Sequence, residues 1–162
     1  MMNRSSILTQ YTLGRRDFRG VDLRRADLSG ADLRGINLAG AILAGADLSG
    51  TDLSGADLQC AVAPFARFNA ANLGSTDLRG IRADGATFVD TNLSRADMHH
   101  AYLYGANMRD ADMFCADLRL ADMRHADLRG TNMTSAQMDG ADTASAQVGD
   151  TDLSLARQAL DE

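Results

Sequence analysis

A five-residue period runs through this chain from Arg16 to Leu155 without insertion or deletion, which makes 28 consecutive units. The central residue of each unit, called position i, is Leu, Met or Phe in nearly all units. The residue two places before it, at i−2, is Ala or Thr in most. Side chains spaced by five drift around an α-helix and alternate between the two faces of a β-strand. Neither a long helix nor an ordinary sheet can therefore bury these two positions together.

A stack of coils can bury them, because each unit then forms one straight side and one turn while its i and i−2 side chains point inward. The glycines support this arrangement, since 12 of the 15 lie at position i+2. A type II turn needs a positive φ there, and glycine adopts it without strain. From Cys60 onward many units carry a larger residue at i+2, such as Phe65 or Leu120. At those corners we expect a different type of turn.

The units have the form A(D/N)LXX, which resembles the pentapeptide repeat family from Arg16 to Leu155. The resemblance implies an all-β solenoid, specifically a right-handed quadrilateral β-helix with four units per coil. With four units per coil, the chain would form about seven coils. The segment ILTQYTLGRRDFRGVDL is also similar to the opening of many cyanobacterial members, some of which regulate heterocyst differentiation through protein contacts.

Stacked coils expose backbone edges at both ends, so we expect short α-helical caps there. Ser5 or Ser6 is a suitable N-cap for a helix from about Ile7 to Leu13, and Ser154 for a helix at the other end. The C-terminal cap is the weaker one, and a second copy of the chain could complete it by forming a homodimer through that end. The sequence therefore divides into an N-terminal capping helix at 1–15, the pentapeptide-repeat β-helix at 16–155, and a C-terminal cap helix or tail at 156–162.

The core is predicted to consist of the side chains at position i. Two alanines at i, Ala63 and Ala83, lie 20 residues apart, and each is followed five residues later by a phenylalanine. A small residue beside a large one in the same layer keeps the packing dense. Methionine replaces leucine at i in later units, and we interpret it as core filling in preference to a thioether metal site. The predicted core includes Phe18, Leu23, Leu28, Leu33, Leu48, Ala63, Phe68, Leu73, Ala83, Phe88, Met98 and Met108.

The composition argues against several functions. No window holds the roughly 20 apolar residues of a membrane span and no apolar leader is present, so we expect a cytoplasmic protein without a membrane partner. A pI near 4.9 and the lack of Lys argue against direct nucleic-acid binding. No nucleophile-elbow or phosphate-loop motif is present, so we predict no enzymatic activity, cofactor or metal. His99, His100, His125 and Cys115 are interpreted as solvated side chains.

One side of the predicted coil carries apolar and aromatic residues at outward positions where the repeat normally has Asp, Ser, Arg or Gly. They are Ile42, Val62, Pro64, Phe65, Tyr102 and Tyr104, and in the fourth coil Arg82 and Asp84 interrupt them. Contiguous apolar patches with aromatic anchors are typical of interaction surfaces. We therefore predict a structural, protein-binding scaffold whose partner is a protein of unknown identity. The alternative is neutral variation of an exposed surface.

A second functional interpretation starts from the aspartates, which occupy most i−1 positions. The resemblance to gyrase-binding members of the family suggests a rod that mimics DNA and inhibits DNA gyrase, a type II topoisomerase. B-DNA carries about one charge per 1.7 Å, so a mimic roughly 34 Å long needs about 20 uncompensated negative charges. The chain has a net charge of −6 because Arg often follows at i+1. We therefore favour a structural role in which Asp bonds to neighbouring backbone and pairs with Arg on an adjacent coil.

Overall fold

The computed structural model describes residues 3–156. One α-helix, α1, spans Arg4–Thr12, and a short 3₁₀ helix spans Leu153–Leu155. Between them, the i−1 residue of each unit forms a parallel β-bridge with the residue 20 positions further on, from Asp17↔Asn37 to Asp127↔Gln147. Four units therefore make one coil, and successive coils stack in register. We number the four sides of a coil from the units 16–20, 21–25, 26–30 and 31–35.

Hydrogen bonds explain why every unit repeats the same shape. The Phe18 N–H donates to the Asn37 carbonyl at 2.8 Å, and the Gly20 N–H donates to the Ala39 carbonyl at 2.9 Å, both on the next coil. The Val21 N–H closes the turn by donating to the Phe18 carbonyl. Two N–H groups of each unit remain. The one at i−1 donates to the i−2 carbonyl of the preceding coil, as Asn37 does to Arg16 at 2.8 Å. The one at i+1 donates to the carboxylate or amide oxygen at i−1 of its own unit in most units. The Asp or Asn of the repeat therefore satisfies a backbone donor that would otherwise lack a partner.

The core runs along the axis of the stack. All twelve side chains predicted for it are at most 1% exposed. The Phe68 and Phe88 rings stack with centroids 4.9 Å apart and an interplanar angle of 4°, in consecutive coils of the third side. Ala63 and Ala83 are also fully buried, one unit before each ring. Where Thr replaces Ala at i−2, its hydroxyl in most cases donates to a carbonyl of the preceding coil, as Thr51 does to Leu28 at 2.9 Å.

The N-terminal helix begins earlier than the sequence indicates. Its N-cap is Asn3, whose side-chain oxygen accepts a hydrogen bond from the Ser6 N–H at 2.9 Å, so the prediction of Ser5 or Ser6 as N-cap is wrong. The reason is tertiary, because the Arg4 guanidinium donates to the Ser29 carbonyl and thereby holds the first turn against the first coil. Ile7 is fully buried there.

At the other end, Asp152 caps the 3₁₀ helix by accepting a hydrogen bond from the Ser154 N–H at 2.9 Å. The prediction that Ser154 caps an α-helix is therefore wrong within the described residues, because the last unit repeats the bond that most units make at i−1. The rest of the predicted C-terminal cap, 157–162, lies outside the described residues. Among residues 3–156 no helix is long and apolar enough to cross a membrane.

The corners without glycine keep the glycine conformation, so the prediction of a different turn type is wrong. Fourteen residues other than glycine have φ between 54° and 59°, against 62° to 66° for the glycines at i+2 in the first coils. The inter-coil bond fixes this geometry, since the Phe65 N–H donates to the Asp84 carbonyl at 3.1 Å just as the Gly45 N–H donates to the Pro64 carbonyl at 2.9 Å. These corners therefore carry backbone strain of about 1–2 kcal/mol each.

Candidate functional site

The second side of the coil holds all six residues of the predicted interaction surface, and we call it the aromatic face. It comprises the units from 21–25 to 141–145, taken every 20 residues. Parallel bridges order its central column as Asp22, Ile42, Val62, Arg82, Tyr102, Asp122 and Asp142. Ile42 and Val62 are therefore direct neighbours, whereas Arg82 separates Val62 from Tyr102.

Phe65 is the most exposed aromatic residue of the described chain, with 73% of its surface accessible. Its φ of 56° directs the side chain along the corner toward the next coil. There the ring covers Gly85, where a Cβ atom would lie 2.7 Å from the nearest ring carbon. On its other side, Phe65 borders a cleft of about 290 Å³ that is lined by Arg25, Ala44, Gly45 and Pro64. An exposed aromatic ring beside a small cleft is typical of a binding anchor.

The two tyrosines form the second half of the aromatic face. Tyr102 is 50% exposed and Tyr104 is 45% exposed. The Tyr104 ring contacts the His125 ring edge to face at 5.2 Å, and the Arg124 guanidinium lies 5.7 Å from the centre of the Tyr104 ring. Arg124 in turn pairs with Asp122 at 2.8 Å. Tyr104 is therefore held from one side while its other side faces solvent.

Leu120 extends this surface and was missed by the sequence analysis. It is 49% exposed and lies at the corner that leads into the aromatic face, in the coil after His100. Its side chain covers Gly140 just as Phe65 covers Gly85. The available signal was a large apolar residue at a corner position, where the repeat prefers glycine. The exposed Phe114 lies on the fourth side, which is opposite the aromatic face.

The aromatic face differs from the other sides in charge. It carries four Arg and four Asp, whereas each of the other three sides has a net charge of −2 or −3. Within residues 3–156, no carboxylate lies within ion-pairing distance of Arg25 or Arg82, and both residues are exposed. Arg24, by contrast, pairs with Asp22 at 2.7 Å. Two free cations therefore flank the apolar residues of the first four coils.

Ion pairs neutralise many of the aspartates at position i−1. Most of these pairs form within one unit, whereas we expected them between adjacent coils. Seven arginines at i+1 pair with the Asp two residues before them at 2.5–2.8 Å: Arg19, Arg24, Arg34, Arg79, Arg119, Arg124 and Arg129. The hydrogen bond from Arg19 lowers the pKa of Asp17 to about 2. Contacts to the adjacent coil are mostly longer, such as 3.6 Å from Arg79 to Asp97, although Arg67 reaches Asp47 at 2.5 Å. Within one unit the side chains at i−1 and i+1 lie side by side, which explains why the pairs within a unit are mostly shorter than those between coils.

The histidines and cysteines do not form a metal site in the part of the chain that the structure describes. No group of three or more His, Cys, Asp or Glu side chains could hold an ion there. The His99 and His100 rings contact each other at 4.3 Å, and the Nδ1 atom of His99 lies 4.0 Å from the Asp117 carboxylate. Cys60 and Cys115 are both free thiols.

Comparison with solved structures identifies similar proteins. HetL, a pentapeptide repeat protein involved in heterocyst differentiation regulation from the cyanobacterium Nostoc sp. strain PCC 7120, is 24% identical with a TM-score of 0.56, over 96% of this chain and 97% of HetL. The pentapeptide repeat protein alr5209 from Nostoc PCC 7120 is 26% identical with a TM-score of 0.35, over 97% of both chains. QnrB1, a plasmid-mediated fluoroquinolone resistance protein, is 20% identical with a TM-score of 0.44, over 88% of this chain and 91% of QnrB1. A search of curated protein sequences finds no significant match.

The family model for pentapeptide repeats matches eight copies in this sequence. The matches extend over 13–40, 31–63, 71–110 and 111–142, which is most of the chain. HetL supports the same solenoid fold over nearly the whole length. The chain therefore belongs to the pentapeptide repeat family.

Proposed function

We propose that this protein is a non-enzymatic scaffold that binds a protein partner through the aromatic face. The main support for this proposal comes from Phe65. A phenylalanine at that corner costs about 1–2 kcal/mol of backbone strain and leaves a large apolar ring in water, while glycine occupies the same corner in the coils before and after it. The core gains nothing from the ring, because it points outward. A partner that buries the Phe65 ring in the complex would offset this cost.

The solenoid suits this role because its binding side chains sit on a rigid support. We take the molecule to be a rod of about seven coils, with α1 covering its first coil and a cap at its C-terminal end. Each of the six residues of the aromatic face is fixed by at least one backbone hydrogen bond to a neighbouring coil, so little conformational entropy is lost on binding. We further propose that the protein acts in the cytoplasm, where the free thiols of Cys60 and Cys115 would stay reduced.

The test is capture of the partner from the source cell by the purified full chain. The double variant Phe65→Ser, Tyr102→Ser should lose the captured protein, because it removes one anchor from each half of the aromatic face. The variant Phe114→Ser is the matched control, since it removes an exposed aromatic ring from the opposite side. Capture that survives the double variant unchanged would contradict the proposal.

Inhibition of DNA gyrase through DNA mimicry is the second candidate. It rests on the four successive bridged aspartates of the first side, Asp57, Asp77, Asp97 and Asp117. Two of them, Asp77 and Asp117, are paired with Arg two residues later, which reduces the negative field that a mimic needs. Gyrase supercoiling that is unchanged by a micromolar excess of the protein would eliminate this candidate.

A further inference from the structure

We propose that the partner presents an acidic segment to the aromatic face, with an apolar side chain in the cleft beside Phe65 and carboxylates on Arg25 and Arg82. This inference rests on the proposed function and names the chemistry of the partner. It follows from the shape of the cleft, from the unpaired arginines, and from the hydrogen-bonded backbone of the central column from Ile42 to Tyr102.

The cleft lies along one corner of three successive coils, which contribute Arg25, Gly45 and Phe65 in that order. Ala44 and Pro64 line it from the side. Coils stack at about 4.8 Å, so Arg25 and Phe65 are separated by roughly 10 Å along the rod. Glycine at the middle coil leaves the cleft open, and its volume of about 290 Å³ has room for one large apolar side chain.

The charges favour an acidic partner at this place. Arg25 and Arg82 have no carboxylate partner among the described residues, and they lie on either side of the apolar cluster of Val62 and Phe65. A carboxylate of the partner would meet a cation that no internal ion pair has already neutralised. The remaining sides are net negative and would repel it. A basic segment would instead meet these two unpaired arginines and only one unpaired carboxylate of this side among the described residues, that of Asp84.

The central column of this side offers no edge for strand addition. The N–H groups of Ile42, Val62, Arg82 and Tyr102 all donate to the preceding coil, and their carbonyls all accept from it in return. Recognition by β-augmentation requires free backbone groups. The segment is therefore held by its side chains, which makes its composition the determinant of binding.

The experiment begins with selection of random 12-residue peptides, displayed on phage, against the full chain. Peptides whose binding is lost in the variant Phe65→Ser are synthesised with a fluorescent label and measured by anisotropy. We expect them to combine Leu, Phe or Tyr with two or more Asp or Glu residues. The double variant Arg25→Glu, Arg82→Glu should weaken them roughly tenfold or more, because attraction becomes repulsion at both ends.

The matched control is Arg95→Glu with Arg109→Glu, which makes the same change in net charge at two arginines that also lack an ion pair among the described residues but lie on the fourth and third sides. It should change affinity less than twofold. Equal weakening by both double variants, selected peptides without net negative charge, tighter binding of single-stranded DNA than of the peptides, or no peptide that depends on Phe65 would each overturn the inference. If Phe65→Ser, Tyr102→Ser loses the cellular partner while the charge reversal leaves peptide binding intact, only the acidic chemistry fails and the binding face stands.

Discussion

The ring of Phe65 lies on Gly85, the residue at the same corner one coil further on. A Cβ atom added to Gly85 would lie 2.7 Å and 2.8 Å from two ring carbons. Gly85 has a φ of 64°, and Gly55 has the same φ but no heavy atom within 4 Å of an added Cβ. The two glycines therefore separate the backbone strain of a substitution from its effect on the exposed ring.

Gly85→Ala should displace the Phe65 ring, whereas Gly55→Ala should not. Both variants should lower the free energy of unfolding by up to about 1.5 kcal/mol, because the strain of alanine at this φ exceeds what its lower unfolded-state entropy contributes. The ring is the mobile end of a side chain, so its displacement adds little to that cost. Partner capture should fall only in Gly85→Ala. Urea unfolding and the capture assay measure the two effects, and equal capture by the two variants would show that the ring position does not matter.

The carboxamide or carboxylate at i−1 should be interchangeable where no Arg follows it. The Asp57 side chain accepts a hydrogen bond from the Gln59 N–H at 2.9 Å and forms no ion pair with the described residues. Asp57→Asn keeps this acceptor and should leave stability unchanged. Asp57→Ala removes it and should cost about 0.5–1 kcal/mol, since the exposed Gln59 N–H exchanges an intramolecular hydrogen bond for one to water. Urea unfolding of both variants checks this, and equal costs for Asn and Ala would indicate that the charge, and not the hydrogen bond, is what the position needs.

Periodicity predicts the interior because burial at i and i−2 depends only on the repeat, and Leu48 or Phe68 lies where the pattern places it. The corner at Phe65 could not be predicted from its residue type, because bonds to the next coil impose a positive φ that phenylalanine does not prefer by itself. The cap at Asn3 depends on Arg4 reaching Ser29, 25 residues away. Leu120 was overlooked because the surface was sought among the outward positions of one side, while this residue enters it from the preceding corner.

The loss of folding stability at acid pH should depend on the Asp–Arg pairs. Hydrogen bonds from Arg19 and Arg24 lower the pKa values of Asp17 and Asp22 from 3.8 to about 2. Because the folded-state pKa lies below the unfolded one, the contribution of each Asp–Arg pair to folding stability is complete above about pH 4 and is lost as the pH falls toward 2. Arg19→Gln with Arg24→Gln should therefore flatten the fall in melting temperature across this range. Melting curves followed by circular dichroism test it, and an unchanged slope would refute the assignment.

Phe65→Gly should separate stability from binding. Glycine relieves about 1–2 kcal/mol of strain at positive φ. It also raises the conformational entropy of the unfolded chain, which lowers stability by about 0.4–1 kcal/mol. The variant should therefore be as stable as the parent or more stable by up to about 1.5 kcal/mol, while partner capture is lost. Ala70→Gly relieves the same strain at a φ of 55° on the third side and should leave capture intact. A loss of more than 1 kcal/mol in Phe65→Gly would mean that the ring stabilises the coil, and the argument that Phe65 is kept for binding would fail.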